Sequence, residues 1–168
     1  DAASASVVLG RNNTTRLRDA VELLRDGVIA HPEHVGLRLA LAELLLSKYN
    51  NAEASEWFQA AAKLEPEHPR AMLGIAQSLE FDNLSTAADA IDALNERHPR
   101  YVPGLVMRAG LQMDAEDYPA ARKTLAEALV VQPHNAPALA YWAGIEYLTG
   151  NFPGARQVIS DVRSRTPG

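Results

Sequence analysis

Five prolines recur at an almost constant interval along the chain. They are separated by 34, 33, 34 and 34 residues, and they are Pro32, Pro66, Pro99, Pro133 and Pro167. A regular interval of this length is typical of tandem repeats, in which one small structural unit is copied along the chain. The 168 residues leave room for four to five such units or for one ordinary domain.

A helical pattern of apolar residues precedes these prolines. Leu24 and Val28 are four residues apart, as are Leu125 and Leu129, so each pair shares one face of a helix. Proline ends such a helix because it lacks an amide N–H and its ring clashes with the preceding turn. Further helices are predicted over 15–30 and, between the prolines, over 35–48, 70–81, 104–114 and 138–149.

Polar breaks divide each unit into two helices. Asp117 and Asn151 lie in two of these breaks, and both residue types are good N-caps for a following helix. Alanine pairs 11 or 12 residues apart lie in phase with the prolines, and they are Ala42/Ala54, Ala76/Ala87, Ala109/Ala121 and Ala143/Ala155. Small residues at both positions let the two antiparallel helices of a hairpin approach closely.

Residues 51–66 and the turn 150–155 resemble the tetratricopeptide repeat family, whose 34-residue unit has small residues at the helix crossing and a closing proline. The resemblance implies an all-α fold, a right-handed superhelical solenoid of helix-turn-helix repeats. We expect residues 1–168 to form a single array. Its copies are 1–34, which is partial, 35–68, 69–101, 102–135 and 136–168.

The resemblance also implies a function, the binding of a peptide or a helix in a concave groove lined by the first helices. Stepping at 100° per residue from the small residue of each first helix selects the groove residues, which are Leu39, Glu43, Leu46, Leu73, Gln77, Glu80, Val106, Met107, Gly110, Met113, Tyr141, Gly144 and Tyr147. The family's carboxylate-gripping set of Lys, Asn and Arg is missing from this surface. We interpret the apolar groove as a site for an amphipathic helix; the alternative is that Gly110 and Gly144 serve close packing between neighbouring helices.

Two other functions stay open. The repeats can be a structural spacer or self-assembly module of a larger bacterial protein, as in envelope or polysaccharide-export assembly. Homo-oligomers would then form through Val158, Ile159 and Val162 of the C-terminal hairpin. Alternatively, the array is the regulatory arm of an enzyme whose catalytic domain lies elsewhere. The sequence starts at Asp1 and ends at Gly168, and we expect it to be part of a longer or processed chain.

Several classes of chemistry are disfavoured. The chain has no cysteine and no Gly-x-Ser-x-Gly or phosphate-loop motif, so we expect neither an enzyme nor a cofactor. The net charge of −5 disfavours the binding of nucleic acid, whose phosphates are negative. No apolar run is long enough to span a membrane. The five histidines are expected to be solvated turn residues that hold no metal. The predicted location is soluble, in the bacterial cytoplasm or periplasm.

Charged residues also occupy positions where apolar core residues are expected. Arg108 and Glu146 lie on adjacent first helices, and a lone charge at either position would be costly to bury. We therefore predict that the two side chains form an ion pair.

Overall fold

The computed structural model describes residues 14–80 and 84–165, and every regular element in these ranges is an α-helix. The helices, numbered in chain order, are α1 Thr14–Ala30, α2 Val35–Leu46, α3 Asn51–Leu64, α4 Pro69–Leu79, α5 Leu84–Arg97, α6 Val102–Asp114, α7 Tyr118–Val131, α8 Ala136–Leu148 and α9 Phe152–Arg165. The all-α repeat fold is confirmed. Residues 1–13 of the partial copy 1–34 lie outside the described residues.

The chain divides into two compact units, Asp1–Ala90 and Ile91–Gly168. In the first unit, α2 and α3 form an antiparallel hairpin that packs against α1 on one side and α4 on the other. In the second unit, α6 and α7 form one hairpin and α8 and α9 the next, with α8 packed against both helices of the preceding hairpin.

The alanines in phase with the prolines lie at the hairpin crossings, as predicted. Ala42, Ala54, Ala109 and Ala121 are all fully buried, and Ala143 and Ala155 are less than a tenth exposed. A methyl group at each crossing leaves space for larger neighbours such as Leu39 and Phe58 in the first unit and Leu125 in the second. Each of these large side chains contributes roughly 1.5–3 kcal/mol through burial.

In three hairpins whose turns lie within the described residues, the turn reverses through one residue with left-handed backbone. Tyr49 has φ 60° and Glu116 has φ 58°, and Gly150 takes the same position one copy later with φ 82°. Glycine adopts this conformation without strain, whereas tyrosine and glutamate do so at a cost. The turn geometry is therefore kept even where the residue disfavours it.

The helix starts combine prolines with polar caps. The first turns of four helices contain a proline, at a position where the backbone nitrogen needs no N–H to donate within the helix; these are Pro69, Pro103, Pro119 and Pro137. The Asp117 carboxylate accepts a hydrogen bond from the Ala120 amide, at 3.1 Å, as expected for an N-cap.

Candidate partner-binding surface

The predicted groove residues of the first unit lie on α2 and α4. The Arg70 guanidinium on α4 donates two hydrogen bonds to the Glu43 carboxylate on α2, from Nε to Oε1 at 2.9 Å and from Nη2 to Oε2 at 2.7 Å. Both side chains are more than two-fifths exposed, so the pair contributes little stability. Its two-point geometry holds the two first helices in register.

Leu39 does not line this surface, contrary to the sequence-based expectation. It is fully buried in the core of the first unit, because α2 is apolar on nearly every side and is covered by α1, α3 and α4. Leu46 is partly buried against the same core. Leu73 and Gln77 on α4 are also partly buried, as is Glu80, which follows the last residue of α4.

The predicted groove residues of the second unit interlock between α6 and α8. A Cβ atom at Gly110 would lie 3.1 Å from the hydroxyl oxygen of Tyr141, and one at Gly144 would lie 3.5 Å from Cε of Met113. Each glycine therefore makes room for a side chain of the neighbouring first helix. This geometry fits the packing role left open above, and it leaves the partner-binding role of the same residues untested.

Aromatic side chains stand out from this interlocked surface. Tyr141 is 38% exposed and Tyr147 is 63% exposed. The Tyr147 ring meets the Phe152 ring edge to face, with ring centres 5.2 Å apart. Phe152 is itself about half exposed, and the sequence-based selection missed it because it lies on the second helix.

We call this region the tyrosine surface. It combines half-buried side chains and glycines of the two first helices with exposed aromatic rings. It comprises Val106, Met107, Gly110, Met113, Tyr141, Gly144, Tyr147 and Phe152.

The predicted ion pair between Arg108 and Glu146 is wrong. Arg108 lies on the side of α6 that faces α5, and its Nε is 3.1 Å from Oδ1 of Asp92. Glu146 lies on the side of α8 that faces α7, and its carboxylate binds Arg122 at 2.9 Å and the side-chain amide of Asn151. The two charges therefore find partners on two different second helices.

An open cleft of about 640 Å³ lies beside the Arg122–Glu146 pair. Tyr118, Pro119 and Thr149 form part of its wall. Because the arginine and the glutamate neutralise one another, the cleft offers no net charge to a ligand. Arg122 Nη2 also donates to the Thr149 hydroxyl at 3.1 Å, which uses a second donor of the guanidinium.

Two of the five histidines have a structural role that sequence reasoning missed. The imidazole Nδ1 of His34 accepts a hydrogen bond from the Leu37 amide, at 3.3 Å, and that of His68 accepts from the Arg70 amide, at 3.2 Å. Both histidines cap first helices directly after a closing proline segment. Over 14–80 and 84–165, no group of three or more His, Cys, Asp or Glu side chains is arranged to hold a metal ion. None of the helices in these two ranges has the length and apolar character that crossing a bilayer requires.

Comparisons with solved structures agree with this architecture. A thermophilic TPR protein from Thermus thermophilus superposes with a TM-score of 0.82 at 15% identity, over 98% of this chain and 92% of that one. MamA superposes with a TM-score of 0.67 at 13% identity, over 90% and 89%. A chain of the APC/C hetero-tetramer Cut9–Hcn1 gives 0.77 at 17% identity, over 95% of this chain and 30% of that one. Among curated proteins, no significant sequence match was found.

The fold and the paired first helices define a helical-repeat protein of the solenoid class. The family model for the tetratricopeptide repeat matches residues 13–65 and 106–168. The chain belongs to the tetratricopeptide repeat family. Members of this family are generally non-catalytic scaffolds for protein–protein interaction.

Proposed function

We propose that this chain is a non-catalytic scaffold that binds a peptide or an amphipathic helix of another protein on its tyrosine surface, within one array over residues 1–168. The observation that carries the proposal is the exposure of Tyr141, Tyr147 and Phe152 beside the two glycines of the neighbouring first helices. Exposed aromatic clusters of this kind are uncommon on surfaces that stay in water.

The chemistry of the surface suits an apolar partner of variable shape. The tyrosines offer large apolar rings with a hydroxyl that can hydrogen-bond at the edge of an interface. Met107 and Met113 are partly buried, and their flexible thioethers can adapt to different side chains. An amphipathic helix that lays its apolar stripe along these residues would bury both the rings and the methionines.

The predicted groove residues of the first unit form a surface of a different character. Glu43 is exposed and already bridged to Arg70, while Gln77 on α4 and Glu80 just after α4 are partly buried. We infer a more polar partner-binding surface on this unit, to which Leu46 and Leu73 also belong.

Site-directed photo-crosslinking tests the proposal. A photoreactive phenylalanine analogue at Tyr147 should form a crosslink to one defined segment of a partner. The same analogue at Val130 should not, since Val130 is 82% exposed but lies on α7 outside the tyrosine surface. The crosslinked segment is then synthesised, and its affinity is measured by fluorescence anisotropy.

Tyr147→Ala should weaken the binding of that peptide at least about tenfold, as expected for loss of an aromatic anchor. Because Tyr147 is largely exposed, this variant should fold normally. Equal crosslinking at Tyr147 and Val130, or unchanged affinity in Tyr147→Ala, would overturn the proposal. Association of two copies through Val158, Ile159 and Val162 stays a prediction, which light scattering of the chain measures.

A further inference from the structure

The helix α8 is apolar on nearly every side and carries a single charged residue. It has thirteen residues, from Ala136 to Leu148, and Glu146 is the one with a charge. Hydrophobic burial is non-directional, so it gives such a helix little preference for one rotation about its axis over another. A buried charge with fixed partners supplies that preference, as a single polar residue does for the register of a coiled coil.

Glu146 is held by side chains on both sides of α8 in the sequence. Arg122 on α7 donates from Nη2 to Oε1 at 2.9 Å, and the side-chain amide of Asn151, directly before α9, donates to Oε2. The glutamate side chain is only 8% exposed. Because the carboxylate is enclosed and both of its oxygens are bound, it cannot follow a rotation of α8 without losing a partner.

A different edge of α8 contacts α6. The Tyr141 hydroxyl lies 3.1 Å from the position of a Cβ atom at Gly110, and Cε of Met113 lies 3.5 Å from the same position at Gly144. Five residues separate Tyr141 from Glu146, which places them about 140° apart around a helix of 3.6 residues per turn. The two helices of the preceding hairpin therefore hold α8 at two separate edges.

We propose that Glu146 is a positioning residue for the tyrosine surface. Its two polar contacts fix the rotation of α8 about its axis, and this rotation places Tyr141 over Gly110. A side chain ends roughly 5–6 Å from the helix axis, so a rotation of about 20° moves it by about 2 Å. Such a movement separates a donor from its acceptor and takes the Tyr141 ring away from Gly110. The effect on partner binding rests on the proposed function, whereas the rotation of α8 does not.

The preceding copy shows that a polar residue at this position does not by itself link two hairpins. Gln112 on α6 lies 34 residues before Glu146. Its Oε1 accepts a hydrogen bond from the Thr124 hydroxyl on α7, at 2.8 Å, so the contact stays within one hairpin. Glu146 instead reaches Arg122 in the hairpin before its own. The carboxylate of Glu146 thus ties α8 to a neighbour whose position also determines the tyrosine surface.

The substitution Glu146→Leu separates positioning from stability. It removes both polar contacts and keeps an apolar side chain of similar size, a replacement of a buried charge that is often neutral or stabilising. The Arg122 side chain is 40% exposed and can then turn to solvent, so the variant should fold. The matched control is Asp92→Leu, which removes the carboxylate of the Arg108 ion pair between α5 and α6 and leaves α8 untouched.

Nuclear Overhauser effects between the Tyr141 ring protons and the Gly110 α protons report the rotation of α8 without any partner. They should be present in the unmodified chain and in Asp92→Leu. They should be lost in Glu146→Leu, because α8 no longer has a preferred rotation. Unchanged signals in folded Glu146→Leu would overturn the positioning role, which a purely stabilising role of the carboxylate predicts.

The substitution Asn151→Asp removes one of the two contacts in a second way. The new carboxylate can still accept the hydrogen bond that the Gly154 amide donates at 3.2 Å, so α9 keeps its cap. The amide that donates to Glu146 is lost, and two carboxylates then face each other. The Tyr141–Gly110 signals should weaken here as well. If Glu146→Leu does not fold, unchanged signals in Asn151→Asp overturn the proposal on their own.

Fluorescence anisotropy with the peptide synthesised from the segment crosslinked at Tyr147 measures the consequence for binding. Glu146→Leu should weaken its affinity at least about threefold, as residues do that act on a site without touching its ligand, and Asp92→Leu should leave it unchanged. Equal affinity of Glu146→Leu and the unmodified chain would overturn the effect on partner binding. The absence of any crosslink at Tyr147 would overturn the proposed function alone, since the Tyr141–Gly110 signals are measured without a partner.

Discussion

Arg122 on α7 binds the buried carboxylate of Glu146 on α8, with Nη2 and Oε1 2.9 Å apart. The glutamate side chain is only 8% exposed, and its other oxygen accepts a hydrogen bond from Asn151 at the start of α9. Three successive helices of the second unit thus meet at one carboxylate. A buried charge of this kind is tolerated only while its partners are present.

Removal of Arg122 should therefore destabilise the second unit. Arg122→Met leaves the Glu146 carboxylate buried without its cation and should lower the free energy of unfolding by about 2 kcal/mol. Urea unfolding followed by circular dichroism measures the loss. Arg108→Met is the matched control: its partner Asp92 is 53% exposed, so we expect a change within about 0.5 kcal/mol. Equal losses in the two variants would contradict the special role of Glu146.

Gly74 should be intolerant of even a methyl group. A Cβ atom there would overlap with Cε1 of Phe58, and the ring is 1% exposed and cannot move into solvent. Gly74→Ala should lower the free energy of unfolding by about 1–3 kcal/mol, as overpacking does in other cores.

Gly27 provides a control in which the same substitution should raise, and not lower, the free energy of unfolding. It lies inside α1, and its Cβ would meet Leu37 at an ordinary 3.4 Å. Gly27→Ala should therefore raise the free energy of unfolding by about 0.5–1 kcal/mol, since alanine is the better helix former. A gain in both variants, measured by the same urea titration, would show that the Phe58 ring yields to the methyl group.

The helices were predictable from the sequence because their determinants are local. Apolar spacing, closing prolines and small residues at the crossings all act within a single repeat. The predicted starts fell one or two residues late, at 70, 104 and 138 instead of Pro69, Val102 and Ala136. The reason is that a proline in the first turn does not delay a helix, since its missing N–H is not needed there.

The side-chain partners were less predictable because they depend on how each helix is rotated against its neighbours. Leu39 was expected in a groove, but α2 is covered on three sides and buries it. Arg108 and Glu146 were expected to pair, but each points toward a different second helix. Periodicity of 100° per residue gives the face of an isolated helix and leaves open which neighbour covers that face.

Replacing a non-glycine residue of left-handed backbone conformation by glycine should stabilise the fold. Glu116 has φ 58° and holds the position that glycine fills at Gly150. Glu116→Gly should remove the steric cost of this conformation and raise the free energy of unfolding by about 1 kcal/mol, while Gly150→Ala should lower it by a similar amount. Ala115 is the neighbouring control: its φ is −82°, so Ala115→Gly should bring no gain. Melting temperatures of the three variants rank them, and a gain in Ala115→Gly equal to that in Glu116→Gly would contradict the explanation.

The Arg25–Glu53 pair should make the first unit sensitive to acid. Partial burial raises the pKa of Glu53, but the hydrogen bond and charge of Arg25, with hydrogen bonds from Asn50 and Trp57, outweigh it and hold the pKa below its ordinary value of 4.5. A carboxyl group with a lowered pKa in the folded state stabilises the fold fully above the unfolded value, and this contribution is lost as the pH falls through the folded value.

The pH dependence of this pair can be isolated by subtraction. The free energy of unfolding is measured between about pH 6 and about pH 3 for the unmodified chain and for Glu53→Gln, and the difference between the two curves contains the titration of Glu53. This difference should shrink as the pH falls below 4.5. In an Arg25→Gln background the same subtraction should vary less with pH, because the main cause of the lowered pKa is gone. An identical pH profile in both backgrounds would show that Arg25 does not set the acid sensitivity of Glu53.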